Sequence, residues 1–189
     1  MNNKIKNNSI FSKLFYGIFE ETIKCNFCNK TTYNYQNFGI ISFDTKLYDK
    51  KDFNIYNGFE DNQKSILTNT ELLCQNCNKL STAEFCRKIK VPPTKLIIAI
   101  NYNESNHILQ TKIDFEEIID ITKYVSFNFG YPIKYRIISV CTLFRDNYIT
   151  YCWNKENQKW YKFKDSNFSE SQANDIFIGS PYILIYEKL

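Results

Sequence analysis

The chain has 189 residues, 43% hydrophobic and 17% aromatic, with only 5 Gly and 4 Pro. Such a composition supplies a packed core and excludes a linker-rich, fibrous or disordered protein. The net charge of +4 is spread without runs of like charge, which does not indicate nucleic acid, and the longest apolar run, residues 96–100, is far too short to span a bilayer.

In chain order, residues 1–8 are polar and read as a disordered tail ahead of a single domain over residues 9–189. Ser9 is placed to cap a short helix in which Ile10/Leu14 and Phe11/Phe15 pair at i,i+4, with Gly17 as its stop. Residues 18–24 read as a strand, and the polar-aromatic residues 31–43 as a second one. Residues 52–58 predict one helical turn ended by Asn57 and Gly58. Further on, Ala83, Phe85, Arg87 and Ile89 alternate with Glu84, Cys86, Lys88 and Lys90 until Pro92 and Pro93 break the strand. The apolar run at 96–100 is expected to be a central strand covered on both faces. Residues 135–144 and 148–153 are strands joined by a tight hairpin at Arg145, Asp146 and Asn147. Residues 159–163 and 182–186 complete an antiparallel sheet. The fold class is α+β, predominantly antiparallel β.

The sharpest signal is a repeated hexapeptide, CNFCNK at 25–30 and CQNCNK at 74–79. Cys25, Cys28, Cys74 and Cys77 form two C-x-x-C pairs, the spacing with which four thiolates close a tetrahedral shell around one structural Zn²⁺. The Asn after each pair tolerates the left-handed backbone that ends a tight knuckle, and the Lys offsets negative charge on the site. The knuckles are far apart in sequence, so they must meet at the ends of two extended ribbons. Of seven Cys, three remain, and Cys86, Cys141 and Cys152 read as small packing residues. Residues 1–8 have no apolar core of a signal peptide, so a reducing cytoplasm or nucleus is expected, with no membrane association.

The ordered set of segments resembles the ubiquitin-specific proteases, the zinc-containing cysteine deubiquitinases. LFYGI at 14–18 ahead of TIKC at 22–25 looks like the start of that family's fingers, and residues 33–43 like the strand leaving the first knuckle. LCQNC at 73–77, then Ala83 and PTKLII at 93–98, look like the second knuckle running into the palm. DFEEIIDI at 114–121 resembles the family's F-P-x-x-L-D-L segment. YRIISV (135–140), YITYC (148–152), WYKFKD (160–165) and PYILIY (181–186) match its last palm strands in order and spacing. The resemblance implies a papain-like fold with zinc-ribbon fingers near residues 18–43 and 64–90, and a palm near 91–189. It implies ubiquitin, or a ubiquitinated protein, as the partner between fingers and palm. The family's thumb is expected to be largely missing.

The family's chemistry needs a Cys nucleophile, a His base and an acid that orients the His. The nucleophile box, resembling N-x-G-N-T-C-Y/F, is not found in these residues. Asn147 occupies the place of the His, and only Asp165 matches a triad position, as the orienting acid or as an ordinary turn residue. The one His, His107, lies in a polar turn and reads as a surface group. The chain is therefore expected to be an incomplete piece of a deubiquitinase or a pseudoenzyme that at most binds ubiquitin. An alternative is a zinc-ribbon protein that binds nucleic acid by stacking bases on Trp153, Trp160 and Tyr161, against which stands the reading that these rings pack the sheet.

Overall fold

A computed structural model of the chain describes residues 9–45, 53–63, 66–67, 71–102, 112–144 and 147–189. The expectations for residues 1–8, Asp52, His107, Arg145 and Asp146 lie outside these described residues.

Helix α1 (Ile10–Phe15) forms as expected, with the Ser9 side chain accepting the Ser12 N–H at 3.1 Å. Its stop differs from expectation. Tyr16 ends the helix in an extended conformation, and Gly17 instead opens strand β1 (Gly17–Cys25). There a side chain is excluded by packing, because a Cβ on Gly17 would meet the Phe38 ring at 2.4 Å and the Val91 carbonyl oxygen at 2.8 Å. Strand β2 (Thr31–Phe38) pairs with β1 from Gly17↔Phe38 to Lys24↔Thr31. The single strand expected over 31–43 is interrupted at Gly39 and Ile40, and β3 (Ile41–Asp44) joins another sheet. Phe38 and Ile41 are both buried, and a strand with a two-residue period cannot turn positions three apart to one face.

After β4 (Phe53–Asn54), helix α2 (Ile55–Gln63) runs past Gly58 rather than ending there. Gly58 is the contact point with β3: a Cβ would sit 2.3 Å from the Phe43 ring. Short strands β5 (Ile66–Leu67), β6 (Leu72–Leu73) and β7 (Leu80–Ser81) lead to the long β8 (Ala83–Val91) and to β9 (Lys95–Asn101). Strands β10 (Ile113–Asp114) and β11 (Ile118–Asp120) precede β12 (Lys134–Phe144), β13 (Asn147–Asn154), β14 (Lys159–Lys164), β15 (Asn167–Ser171) and β16 (Ser180–Lys188). β15 has no counterpart in the sequence reading.

Two sheets organise the molecule. The smaller has the order β2-β1-β8-β5, all antiparallel. The larger runs β15-β14-β13-β12-β16-β9-β3, with β11 also on β12; β3 is parallel to β9 and the other pairs are antiparallel. The core lies on one face of the larger sheet, where Leu96, Ile98, Tyr135, Ile137, Val140, Leu184 and Tyr186 are fully buried beside Phe43, Phe53, Phe59, Ile119, Ile121 and Ile133. The tyrosines bring their hydroxyls to backbone acceptors, Tyr135 to the Pro93 carbonyl and Tyr186 to the Glu116 carbonyl at 2.9 Å. The expectation for residues 96–100 holds for one face only. β9 lies one strand from the sheet edge, and Ile97 and Ala99 on its other face stay half-buried while Ile183 of β16 beside them is 40% exposed.

Candidate functional site

At the far end of the smaller sheet the two hexapeptides fold into near-identical turns. The Cys25 N–H donates to the Lys30 carbonyl at 3.0 Å, and the Asn29 N–H to the Cys25 carbonyl at 2.9 Å. In the second turn the Cys74 N–H donates to Lys79 at 3.0 Å, and the Asn78 N–H to Cys74 at 2.8 Å. Asn29 (φ 58) and Asn78 (φ 54) are both left-handed, as the hexapeptides require. The β6–β7 hairpin carries the second turn, and Asn26 joins the first to Thr82 through a backbone bond of 3.1 Å and a side-chain bond of 2.8 Å.

The outcome is convergence of Cys25, Cys28, Cys74 and Cys77, whose Sγ atoms all lie within 4.8 Å of one another, with Cys28 and Cys74 at 3.7 Å. A tetrahedral zinc with bonds of about 2.3 Å spaces its sulfurs about 3.8 Å apart, so the four thiols fit that ion. Backbone N–H groups of Cys28 and Phe27 lower the Cys25 thiol to about 6, and those of Cys77 and Asn76 lower Cys74. Desolvation pushes Cys77 up to about 11. The Lys79 Nζ lies 3.8 Å from the centre of the exposed ring of Phe27, the residue before Cys28 in the first knuckle.

Asn147 and Asp165 come to the same end of the larger sheet, on neighbouring strands. Asn147 is the first residue of β13, opposite Phe144, and is exposed. Asp165 begins the two-residue turn between β14 and β15, also exposed and left-handed at φ 51. That geometry suits an Asp in a hairpin turn whatever its further role. Beside Asn147 stands a feature no spacing in the sequence signals: Tyr148 packs edge-on against Tyr182 at 5.5 Å, and Tyr182 against Tyr102 at 5.0 Å. The Tyr102 hydroxyl donates to the Pro181 carbonyl at 2.8 Å, and burial pushes its phenol well up. The remaining thiols are structural in their contacts. Cys86 faces the Gln63 carbonyl at 3.3 Å, Cys152 the Ser139 hydroxyl at 3.5 Å, and Cys141 is half-buried in β12.

The family model for ubiquitin carboxyl-terminal hydrolase matches residues 1–186. The chain belongs to the ubiquitin carboxyl-terminal hydrolase family. Mouse ubiquitin carboxyl-terminal hydrolase 17-like protein B is 22% identical over 182 residues, 92% of this chain and 38% of that protein. Ubiquitin carboxyl-terminal hydrolase 5 of Saccharomyces cerevisiae is 25% identical over 202 residues, 93% of this chain and 24% of its own. Among solved structures, the SAGA Ubp8/Sgf11/Sus1/Sgf73 DUB module bound to ubiquitin aldehyde superposes with a TM-score of 0.82 at 21% identity, covering 100% of this chain and 44% of that one. The chain thus spans less than half the length of these relatives.

The fold is that of the ubiquitin-specific proteases, and the residues expected for its fingers fall on the smaller sheet and the knuckles, except that β3 (Ile41–Asp44) belongs to the larger sheet. Within the smaller sheet Lys90 of β8 bonds Glu20 of β1 at 2.6 Å and holds its carboxyl below the ordinary 4.5, and the segment after β11 is tied to β8 by the Ser126 N–H donating to the Ile89 carbonyl at 2.8 Å. Of the three rings weighed for base stacking, Trp160 is buried, and Trp153, half-buried, packs on it at 5.6 Å at the core margin. Tyr161 is half-buried, its hydroxyl accepting from the Asn157 side chain at 2.7 Å.

Proposed function

We propose that this chain is the fingers-and-palm part of a deubiquitinase, that it holds ubiquitin between the two, and that its own residues do not hydrolyse the ubiquitin C-terminus. The observation that carries this is Asn147 at the head of β13, at the same sheet end as Asp165; the resemblance to the family implies a His at that position. An amide has no basic nitrogen near neutral pH, and a general base is worth about 10²–10⁴-fold. Loss of that base removes useful turnover even where an orienting acid survives. Zn²⁺ held by Cys25, Cys28, Cys74 and Cys77 is structural in this reading, since four protein ligands leave no open coordination position. Ubiquitin as partner is supported by the solved relatives, which are described as bound to ubiquitin aldehyde and to monoubiquitin. A ubiquitinated protein is the natural extension. A reducing compartment, cytoplasm or nucleus, keeps the four thiols free for metal; among the described residues no helix is long and apolar enough to cross a membrane.

The test combines metal analysis of the purified chain, calorimetric titration with ubiquitin, and incubation with ubiquitin bearing a C-terminal electrophile. Expected are one zinc per chain, saturable ubiquitin binding and no covalent adduct. Absence of binding overturns the partner, and adduct formation overturns the claim that these residues carry no nucleophile.

A further inference from the structure

The palm sheet ends in two differently treated edges. Strand β3 packs on α2 through the contact of Phe43 with Gly58 and Phe59, and the Asn62 side chain of α2 reaches its Ser42 carbonyl at 3.5 Å. Among the described residues strand β15 pairs with β14 alone, and it is exposed from Asn167 to Glu170. An open edge is normally guarded by Lys, Pro or a bulge. β15 reads Asn-Phe-Ser-Glu-Ser and pairs with β14 without a break in register. Its Phe168 is 70% exposed and stacks on Phe163, itself 42% exposed, at 6.1 Å.

We propose that β15 is a self-association edge, occupied by β15 of a second copy running antiparallel about Ser169. The pattern of backbone groups selects this register. The two-residue turn makes Lys164↔Asn167 a hydrogen-bonded pair, so Lys162↔Ser169 is one also and the pairs at Phe163↔Phe168 and Tyr161↔Glu170 are not. The N–H and C=O groups of Phe168 and Glu170 therefore point away from β14. Centred on Ser169, Phe168 of each copy exchanges both backbone bonds with Glu170 of the other, and every outward group of the strand is used. Centring on Glu170 would set like charges opposite one another, and centring on Phe168 would leave Glu170 facing the turn. Side chains agree with the backbone. Phe168 meets its own counterpart diagonally, about 7–8 Å across the ladder, and joins two Phe163–Phe168 stacks into one aromatic band. Glu170 adds no unpaired charge, because Lys159 already holds it at 2.7 Å. The partner is a copy of this chain because the Ser169-centred register uses every outward backbone group and sets no like charges opposite one another.

Sedimentation equilibrium of the zinc-loaded chain over a wide concentration range tests this, with Phe168→Lys and Glu170→Pro, which removes an outward N–H, as variants and Tyr35→Lys on β2, an edge of the smaller sheet, as control. A reversible monomer–dimer equilibrium is expected, weakened at least tenfold by Phe168→Lys and by Glu170→Pro and unchanged by Tyr35→Lys. Circular dichroism and zinc content verify that each variant folds. A monomer at all concentrations, or a dimer lost through Tyr35→Lys and retained in Phe168→Lys, overturns the proposal.

Discussion

At Asn29 and Asn78 the backbone is left-handed, a conformation that costs an ordinary L-residue about 1–2 kcal/mol. Asn29→Val or Asn78→Val is therefore expected to destabilise the zinc-loaded chain by about that amount, while Gly at either position is nearly neutral. Chemical denaturation at fixed free zinc measures it, and a β-branched variant as stable as the parent would show that the turn has another solution. A second residue-scale effect lies on the fingers sheet. The Glu21 carboxylate, only 11% exposed, accepts from Arg87 at 2.6 Å and 2.9 Å and from Asn34 at 3.0 Å. Arg87→Met removes two of the three donors and leaves a half-satisfied carboxylate, a loss of about 2 kcal/mol. An unchanged denaturation midpoint would mean that water replaces the guanidinium.

At the scale of elements, helix α2 sets two rules against each other. Helix propensity alone predicts that Gly58→Ala stabilises by about 1 kcal/mol. The contact decides the other way: the new methyl would overlap the ring of Phe43, which is 1% exposed and cannot swing aside. A net loss of about 1–3 kcal/mol is expected from overpacking, read as a lower melting temperature. The fingertip depends on the metal in the same local way. β6 and β7 are two residues each, and Leu72, Leu73 and Leu80 on them are exposed, so little apolar burial holds the hairpin. Chelation is expected to raise amide exchange at residues 25–30 and 72–81 and leave β12 and β16 protected. Uniform loss of protection would show that the metal supports the whole fold.

Over the whole molecule, acid stability follows from lysines that hold carboxylates. Lys90 lowers Glu20 and Lys95 lowers Glu187, both from an ordinary 4.5. A depressed carboxyl binds its proton less readily in the folded chain than in the unfolded one. Its contribution is complete above about pH 4.5 and is lost as pH falls below that through the folded value. Lys90→Met is expected to flatten this stretch of the stability curve between the ordinary carboxylate range and stronger acid, measured by denaturant midpoints across pH. An identical pH profile would assign the acid sensitivity to other groups. The half-open palm face is also a property of the whole. Ile97, Ala99 and Ile183 line it, and no segment among the described residues covers it fully.

What the sequence by itself determined is local or ordered. The C-x-x-C-Asn-Lys turns were legible because covalent spacing sets both the ligand distance and the left-handed residue. The strand that Asn147 heads was legible because its alternating aromatic and β-branched residues mark it, with Asn147 at its first position. Tertiary structure decided the rest. Gly39 as a break, Gly58 inside a helix and Gly17 in a strand follow from rings that approach from distant segments, which no local pattern records. β15 is short and polar, and it exists because β14 offers it a partner. Whether β9 is covered on one face or two depends on what packs there, since an apolar run reports hydrophobicity and not the number of its neighbours. Two distant thiol pairs could be matched on paper, but only the pairing of β1 with β8 brings them to one end of one sheet.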